Sequence, residues 1–105
     1  MFRMVVHVDV KKELQALPAI VQAKMIRQLD KLRQNPTALR EPDSKPLGQG
    51  LFEIRALGSV QGRGIYVFQQ NKTLFLLRVF VKKTQKIPLS EIRLALKRLE
   101  EMRNE

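Results

Sequence analysis

Between Leu47 and Pro88 the hydrophobic pattern marks out three strand-like runs. Leu51–Leu57 places Phe52, Ile54 and Ala56 on one face and Glu53 and Arg55 on the other, the period-two alternation of a strand with one buried side. Gly64–Gln69 is short and rich in β-branched and aromatic residues. Thr73–Val81 is almost wholly apolar, which predicts a central strand covered on both faces. It ends abruptly in Lys82-Lys83-Thr84-Gln85-Lys86. Gly58–Gly64, with three glycines, predicts a flexible tip from which Arg63 emerges, and Asn71-Lys72 predicts a tight turn.

Around this meander the pattern predicts further elements. Phe2–Val10 alternates as a strand, with Phe2, Met4, Val6 and Val8 on the buried side and His7 on the polar side, as an exposed residue. Lys11–Leu17 forms a short helix with Asp9 as its cap. Pro18 suits the first turn of a second helix, and from Ala19 to Arg33 the positions Val21, Met25, Leu29 and Leu32 recur at helical spacing. Asn35-Pro36 ends that helix. Thr37–Gln49 reads as a loop, with Gly48 and Gly50 as turn residues. Leu89–Met102 is a final amphipathic helix with Leu89, Ile92, Leu96, Leu99 and Met102 on one stripe and Arg93, Lys97, Arg98, Glu100 and Glu101 outside. The order is β-α-α-β-β-β-α, an α+β class. It predicts a small, mainly antiparallel sheet with a helical hairpin and a C-terminal helix packed on it.

Length and composition narrow the function. The 105 residues, 44% hydrophobic and 29% charged, amount to a single domain over residues 1–105 able to bury one core. There is no cysteine and one histidine, which removes thiolate chemistry, disulfides and the usual zinc sites. No apolar run is long enough to span a membrane, and the N-terminus has no signal-peptide pattern, so a cytoplasmic protein is expected. The 20 Lys and Arg against 10 Asp and Glu, a formal +10, change the picture most. An excess this large points to a polyanionic partner. The cations are spread over strands, loops and helices rather than along one amphipathic helix, which favours nucleic acid over a membrane surface.

The three serines lie far in sequence from the lone His7, and the acidic residues are few and dispersed. A nucleophilic triad and a two-metal phosphoryl site are both disfavoured, and no metal or other cofactor is expected. What remains is a cationic edge. In an antiparallel meander the end of the first strand neighbours the start of the second, and the third returns to the same end, so Arg55, Arg63, Lys82 and Lys83 gather there. Arginine forks and ammonium groups suit a phosphodiester and the charge growing on a pentacovalent phosphate. RNA brings its own nucleophile, the 2′-hydroxyl. Residue chemistry alone leaves passive phosphate binding and cleavage equally open.

The strings Leu47-Gly-x-Gly-Leu-Phe-Glu-Ile-Arg55, Arg63-x-x-Tyr66 and Phe80-Val-Lys-Lys-Thr-Gln-Lys-x-Pro88, followed by an amphipathic helix, resemble the RelE superfamily of bacterial toxins, and within it the phage-derived HigB-like branch. The resemblance implies a type II toxin–antitoxin system. In such a system the toxin is a ribosome-dependent endoribonuclease cutting mRNA in the A site, and the antitoxin is a HigA-like helix-turn-helix protein. It implies Arg63 on the scissile phosphate, Lys82 or Lys83 on the developing charge and leaving 5′-oxygen, and Arg55 in orientation. Lys45, Lys86, Arg93 and Lys97 are expected to contact RNA or ribosome. Relatives place a tyrosine or histidine near the start of the final helix, where this chain has Ile87-Pro88-Leu89. Glu53 and Tyr66 are the remaining acid–base candidates. The alternatives are a ParE-like gyrase poison or a non-catalytic basic RNA-binding module of the same fold.

Overall fold

The computed structural model describes residues 1–105, and its sheet is assembled around the apolar run near the C-terminus. That run is β5 (Thr73–Lys82), paired on one side in parallel with β1 (Arg3–Val6) and on the other, antiparallel, with β4 (Gln61–Gln69). The sheet continues through β3 (Leu51–Ala56) to β2 (Ser44–Gly48), giving the order β1-β5-β4-β3-β2. β5 is interior, as its unbroken hydrophobicity requires, and the N-terminal strand takes an edge. The turn Gly48-Gln49-Gly50 joins β2 to β3 with all three residues at positive φ. Asn71 and Lys72, at φ 59° and 51°, lie in the three-residue turn that follows the Gln69–Thr73 pair and leads into β5.

Helices cover both faces. On one, α1 (Val10–Ala16) and α2 (Ala19–Gln34) set Val10, Val21, Met25, Leu29 and Leu32 against Ile54, Ala56, Tyr66, Leu74, Leu76 and Val79. On the other, α3 (Leu89–Arg103) sets Ala95, Leu99 and Met102 against Leu51, Ile65, Val67, Leu77 and Phe80. Gly62 lets α2 settle close, since a Cβ there would stand 2.8 Å from Val21 Cγ1; Gly64 makes room for its β3 neighbour, since a Cβ there would stand 2.7 Å from Ile54 Cγ2. These two are therefore strand residues at a close approach, and the expected flexible tip shrinks to Leu57–Val60.

The predicted α+β class and chain order hold, with one strand added. β2 lies within the segment read as a loop. It carries Pro46, which a strand tolerates only at a sheet edge, and an edge is where it sits. The N-terminal strand is shorter than its alternation suggested, ending at Val6, and Val10 already belongs to α1. His7 is 6% exposed rather than an exposed residue. Its Nδ1 accepts from the Asp9 backbone N–H and its Nε2 lies 2.8 Å from Glu101 Oε1. Asp9 stands at the N-cap of α1 without a side-chain cap bond; its carboxylate turns towards Arg98 instead.

Arg98, expected outside α3, is buried, and Leu89, expected inside, is exposed. The short β1 explains the first exchange. β1 leaves β5 after the Val6–Leu76 pair, and the backbone groups beyond that point need other partners. Glu13 Oε1 accepts from the Val79 N–H at 3.1 Å, and Arg98 Nη1 donates to the Leu77 carbonyl at 2.9 Å. Arg98 and Glu13 are themselves joined at 2.7 Å, and Arg78 bridges Glu13 and Glu91. An ionic network thus closes the strand edge and ties α1 and α3 to β5.

Candidate functional site: a cationic strip at one end of the sheet

A β-bulge decides which side chains share the strip. Along β4 and β5, Ile65 pairs with Arg78 but Tyr66 pairs with Leu76, so Leu77 is an extra residue in β5. The bulge changes the phase of the alternation. Beyond it Arg78, Phe80 and Lys82 point to the α3 face, as do Arg63 and Gln61, which pair with Phe80 and Lys82. On β3, Glu53 and Arg55 fall on the same face, and Arg55 pairs directly with Arg63. Lys45 of β2 pairs with Glu53. Arg55, Arg63 and Lys82 are thereby brought together as expected, and Lys83 follows at the strand's end.

The members differ sharply in access. Arg63 is 2% exposed; Nη1 donates to the Gly62 carbonyl at 2.9 Å and Nη2 to Gln61 Oε1 at 2.7 Å. Its Nε lies 3.6 Å from Glu53 Oε2, and neither atom has a hydrogen-bond partner. Direct contact of Arg63 with a scissile phosphate, the role the resemblance implied, is therefore not available in this conformation. Glu53 is equally buried, and its Oε1 accepts from Arg55 Nε at 2.8 Å with Arg55 Nη2 at 2.7 Å. Arg55 is partly exposed and firmly held. Its N–H donates to the Asp43 carbonyl, its carbonyl accepts from Gln28 Nε2, and Nη1 donates to the Pro42 carbonyl.

Three cations around one carboxylate shape the electrostatics. Burial pulls the Arg63 guanidinium below its ordinary range, with Arg55 adding repulsion and Glu53 opposing it. The Lys82 ammonium is lowered from 10.5, first by burial and then by Arg63, Arg55 and Lys45, against the pull of Glu53. Lys82 and Lys83 line an open cleft of about 630 Å³ whose other wall is Ser59, Val60 and Gln61. The strip offers a partly desolvated ammonium, an anchored guanidinium and further cations around an open space, an arrangement that accepts a phosphate.

Other expected site residues fall outside this group. Tyr66 is 1% exposed and sits in the α1–α2 core. Its hydroxyl is 2.8 Å from Ser44 Oγ, and burial pushes its ionisation above the ordinary 10.0, so the expected acid–base role is corrected to a packing one. Glu53, the other acid–base candidate, is enclosed by arginines and positions them. Lys45 and Lys86 are exposed, Lys45 beside the strip and Lys86 in the loop beyond β5. Arg93 and Lys97 are exposed on α3. No three His, Asp or Glu side chains are grouped as a metal site requires. Sequence reasoning missed Gln61, which holds Arg63, and Gln28, a buried helix residue that fixes Arg55 and Asp43. A glutamine on a helical apolar stripe was the available signal for the second; Gln61 carried none.

Residues 12–100 match the family described as phage derived protein Gp49-like. No curated protein sequence matches the chain. Among solved structures, a mutant of the Escherichia coli toxin RelE in the free state is similar with TM-score 0.66 and 21% identity, covering 92% of this chain and 96% of that one. The archaeal RelE–RelB complex from Pyrococcus horikoshii OT3 gives 0.57 and 28% identity over 75% and 92% of the two chains. The RelBE2 toxin–antitoxin complex from Mycobacterium tuberculosis gives 0.59 and 22% over 77% and 98%. The sheet order, the two-sided helical cover and these likenesses agree with the motif strings, and the chain belongs to the Gp49-like family of phage-derived proteins, with the fold of the RelE superfamily toxins.

Proposed function

We propose that this protein is the toxin of a type II toxin–antitoxin pair and acts as an endoribonuclease on mRNA in the ribosomal A site, without a metal of its own. The observation that carries the reading is the strip itself. A single buried carboxylate, Glu53, orients two arginines, while Lys82 stands partly buried beside them at the mouth of the cleft, its ammonium lowered by burial and by Arg63. In this reading the RNA supplies the 2′-hydroxyl as nucleophile. Attack on the adjacent phosphorus forms the 2′,3′-cyclic phosphate as the bond to the 5′-oxygen breaks. Arg55 and Lys83 hold the non-bridging oxygens. The Lys82 ammonium donates a proton to the departing 5′-oxygen, and the proton of the 2′-hydroxyl passes to water. Arg63 and Glu53 lie beneath and set the field these groups work in. The antitoxin and ribosome are the implied partners, and action on the ribosome places the protein in the cytoplasm.

Induced expression followed by primer extension on a reporter mRNA tests this. Cuts within translated codons, absent with Lys82→Met, are expected. Growth arrest with intact mRNA and an SOS response would instead identify a gyrase poison.

A further inference from the structure

A second surface adjoins the cleft and is unlike it. One flank of α2 carries Ile20, Lys24, Arg27 and Lys31, spaced four, three and four residues apart and therefore in a stripe down the helix. Two shallow hollows, of about 330 and 210 Å³, follow this stripe and meet at Lys24. The upper one is apolar. Ile20 is 74% exposed, and Val60, from the Leu57–Val60 turn, is 43% exposed. The lower one is rimmed by Arg27 and Lys31, neither of which has an ion-pair partner; Asp43 also lines it, with its carboxylate held by Gln28 Nε2 at 3.0 Å, whereas the partly exposed Arg33 of the same helix lies 3.8 Å from Asp30. Lys24 Nζ donates to the Leu57 carbonyl at 2.9 Å, which fastens the turn to the helix. Ser59 and Val60 line both the apolar hollow and the cationic cleft, so one turn is the wall between the two.

We infer that this groove is the docking site for an acidic, amphipathic segment of a partner protein, whose apolar side chain enters the hollow at Ile20 and Val60 and whose carboxylates meet Arg27 and Lys31. The inference rests on the toxin reading and names where its protein partner binds. Charge selects the occupant: a chain of +10 presents two unpaired cations in line with an exposed aliphatic anchor. Nucleic acid suits the hollow less well, since it offers no aromatic surface on which a base can stack. Occupation would also neutralise the toxin. A segment seated against Val60 stands at the rim of the cleft and blocks the approach of RNA to Lys82 without touching the strip.

The test uses the full chain co-expressed with the product of the reading frame adjacent to its gene. Growth arrest is read for each toxin variant alone, and affinity is measured on the purified pair. Ile20→Glu and Arg27→Glu are each expected to arrest growth as the wild type does and to bind the neighbouring product about tenfold or more weakly. Ile26→Glu, at a 49% exposed aliphatic on the other side of the same helix, is the control and should bind as the wild type does. Wild-type affinity in Ile20→Glu and Arg27→Glu overturns the location while leaving the partner in place. A neighbouring product that does not bind the wild type overturns the partner, and the ribonuclease reading is then judged separately on mRNA cleavage. Loss of growth arrest with partner binding intact would make the groove an RNA or ribosome contact and would also overturn the inference.

Discussion

Arg55 and Arg63 face each other across the β3–β4 ladder, with Glu53 supplying the carboxylate for both. Like charges directly opposite in a sheet are unfavourable, and a buried guanidinium more so. The arrangement therefore depends on Glu53 more than on either arginine. Glu53→Gln leaves two cations opposed, one of them buried, and should cost about 3 kcal/mol or more in denaturant unfolding. Arg63→Met leaves the Glu53–Arg55 pair intact and should cost less. The reverse order would show that the three side chains do not form one unit.

The proposed role of Lys82 comes at the expense of its own solvation. Its ammonium is lowered by burial and by Arg63, Arg55 and Lys45, so below its depressed pKa the charged form works against the fold and the strain is relieved as pH rises through it. Lys82→Met should leave the thermal midpoint unchanged or raised while reducing mRNA cleavage about a hundredfold or more. A parallel loss of stability and cleavage would make Lys82 structural. Any step that needs its positive charge should also fail at a lower pH than an ordinary lysine would impose. Lys82→Arg keeps the charge but cannot give up a proton, and should therefore lower cleavage at every pH.

Glu13 gives the stability profile its acid limb. Burial alone would raise its pKa, but the Arg98 hydrogen bond, the Val79 N–H and Arg78 together bring it below the ordinary 4.5. A depressed carboxylate contributes stability that is present above the unfolded value of 4.5 and is lost as pH falls through the folded value. Unfolding free energy should therefore fall below about pH 4.5 in the wild type and much less steeply in Glu13→Gln. At neutral pH the substitution should cost about 2–3 kcal/mol, because Arg98 and Arg78 lose their shared partner. Equal slopes in the two proteins would exclude Glu13 as the linked group.

Tyr66 separates packing from chemistry. Tyr66→Phe removes the hydroxyl that meets Ser44 Oγ and strands a buried serine, for about 1–2 kcal/mol in denaturant unfolding. Cleavage by the folded variant should be unchanged, and a large loss of turnover would return Tyr66 to the acid–base candidates.

The strands on either side of the glycine turns were legible because period-two patterning and an unbroken apolar run report burial directly, as in Leu51–Ala56 and β5. The edge strand was not. Ser-Lys-Pro-Leu-Gly has too few apolar positions to alternate, and its proline is informative only once the sheet's edge is known. The gathering of Arg55, Arg63 and Lys82 followed from strand order. The burial of Arg63 did not, because it depends on the extra residue at Leu77 and on the hold of Gln61 and Glu53, and neither leaves a periodic trace. Arg98 and His7 were misplaced for a related reason. Each is a polar residue drawn inward by partners far away in sequence, the Leu77 carbonyl and Glu13 for one and Glu101 for the other.

The central claim is that the strip cleaves RNA on the ribosome, and the most direct measurement uses purified ribosomes carrying an mRNA with an open A site. Wild-type protein should cut the message at the A-site codon and leave a 2′,3′-cyclic phosphate. Lys82→Met and Arg55→Ala, shown to be folded, should each cut at least about a hundredfold more slowly. An uncut message under wild-type protein, or cleavage undiminished in both variants, would contradict the account.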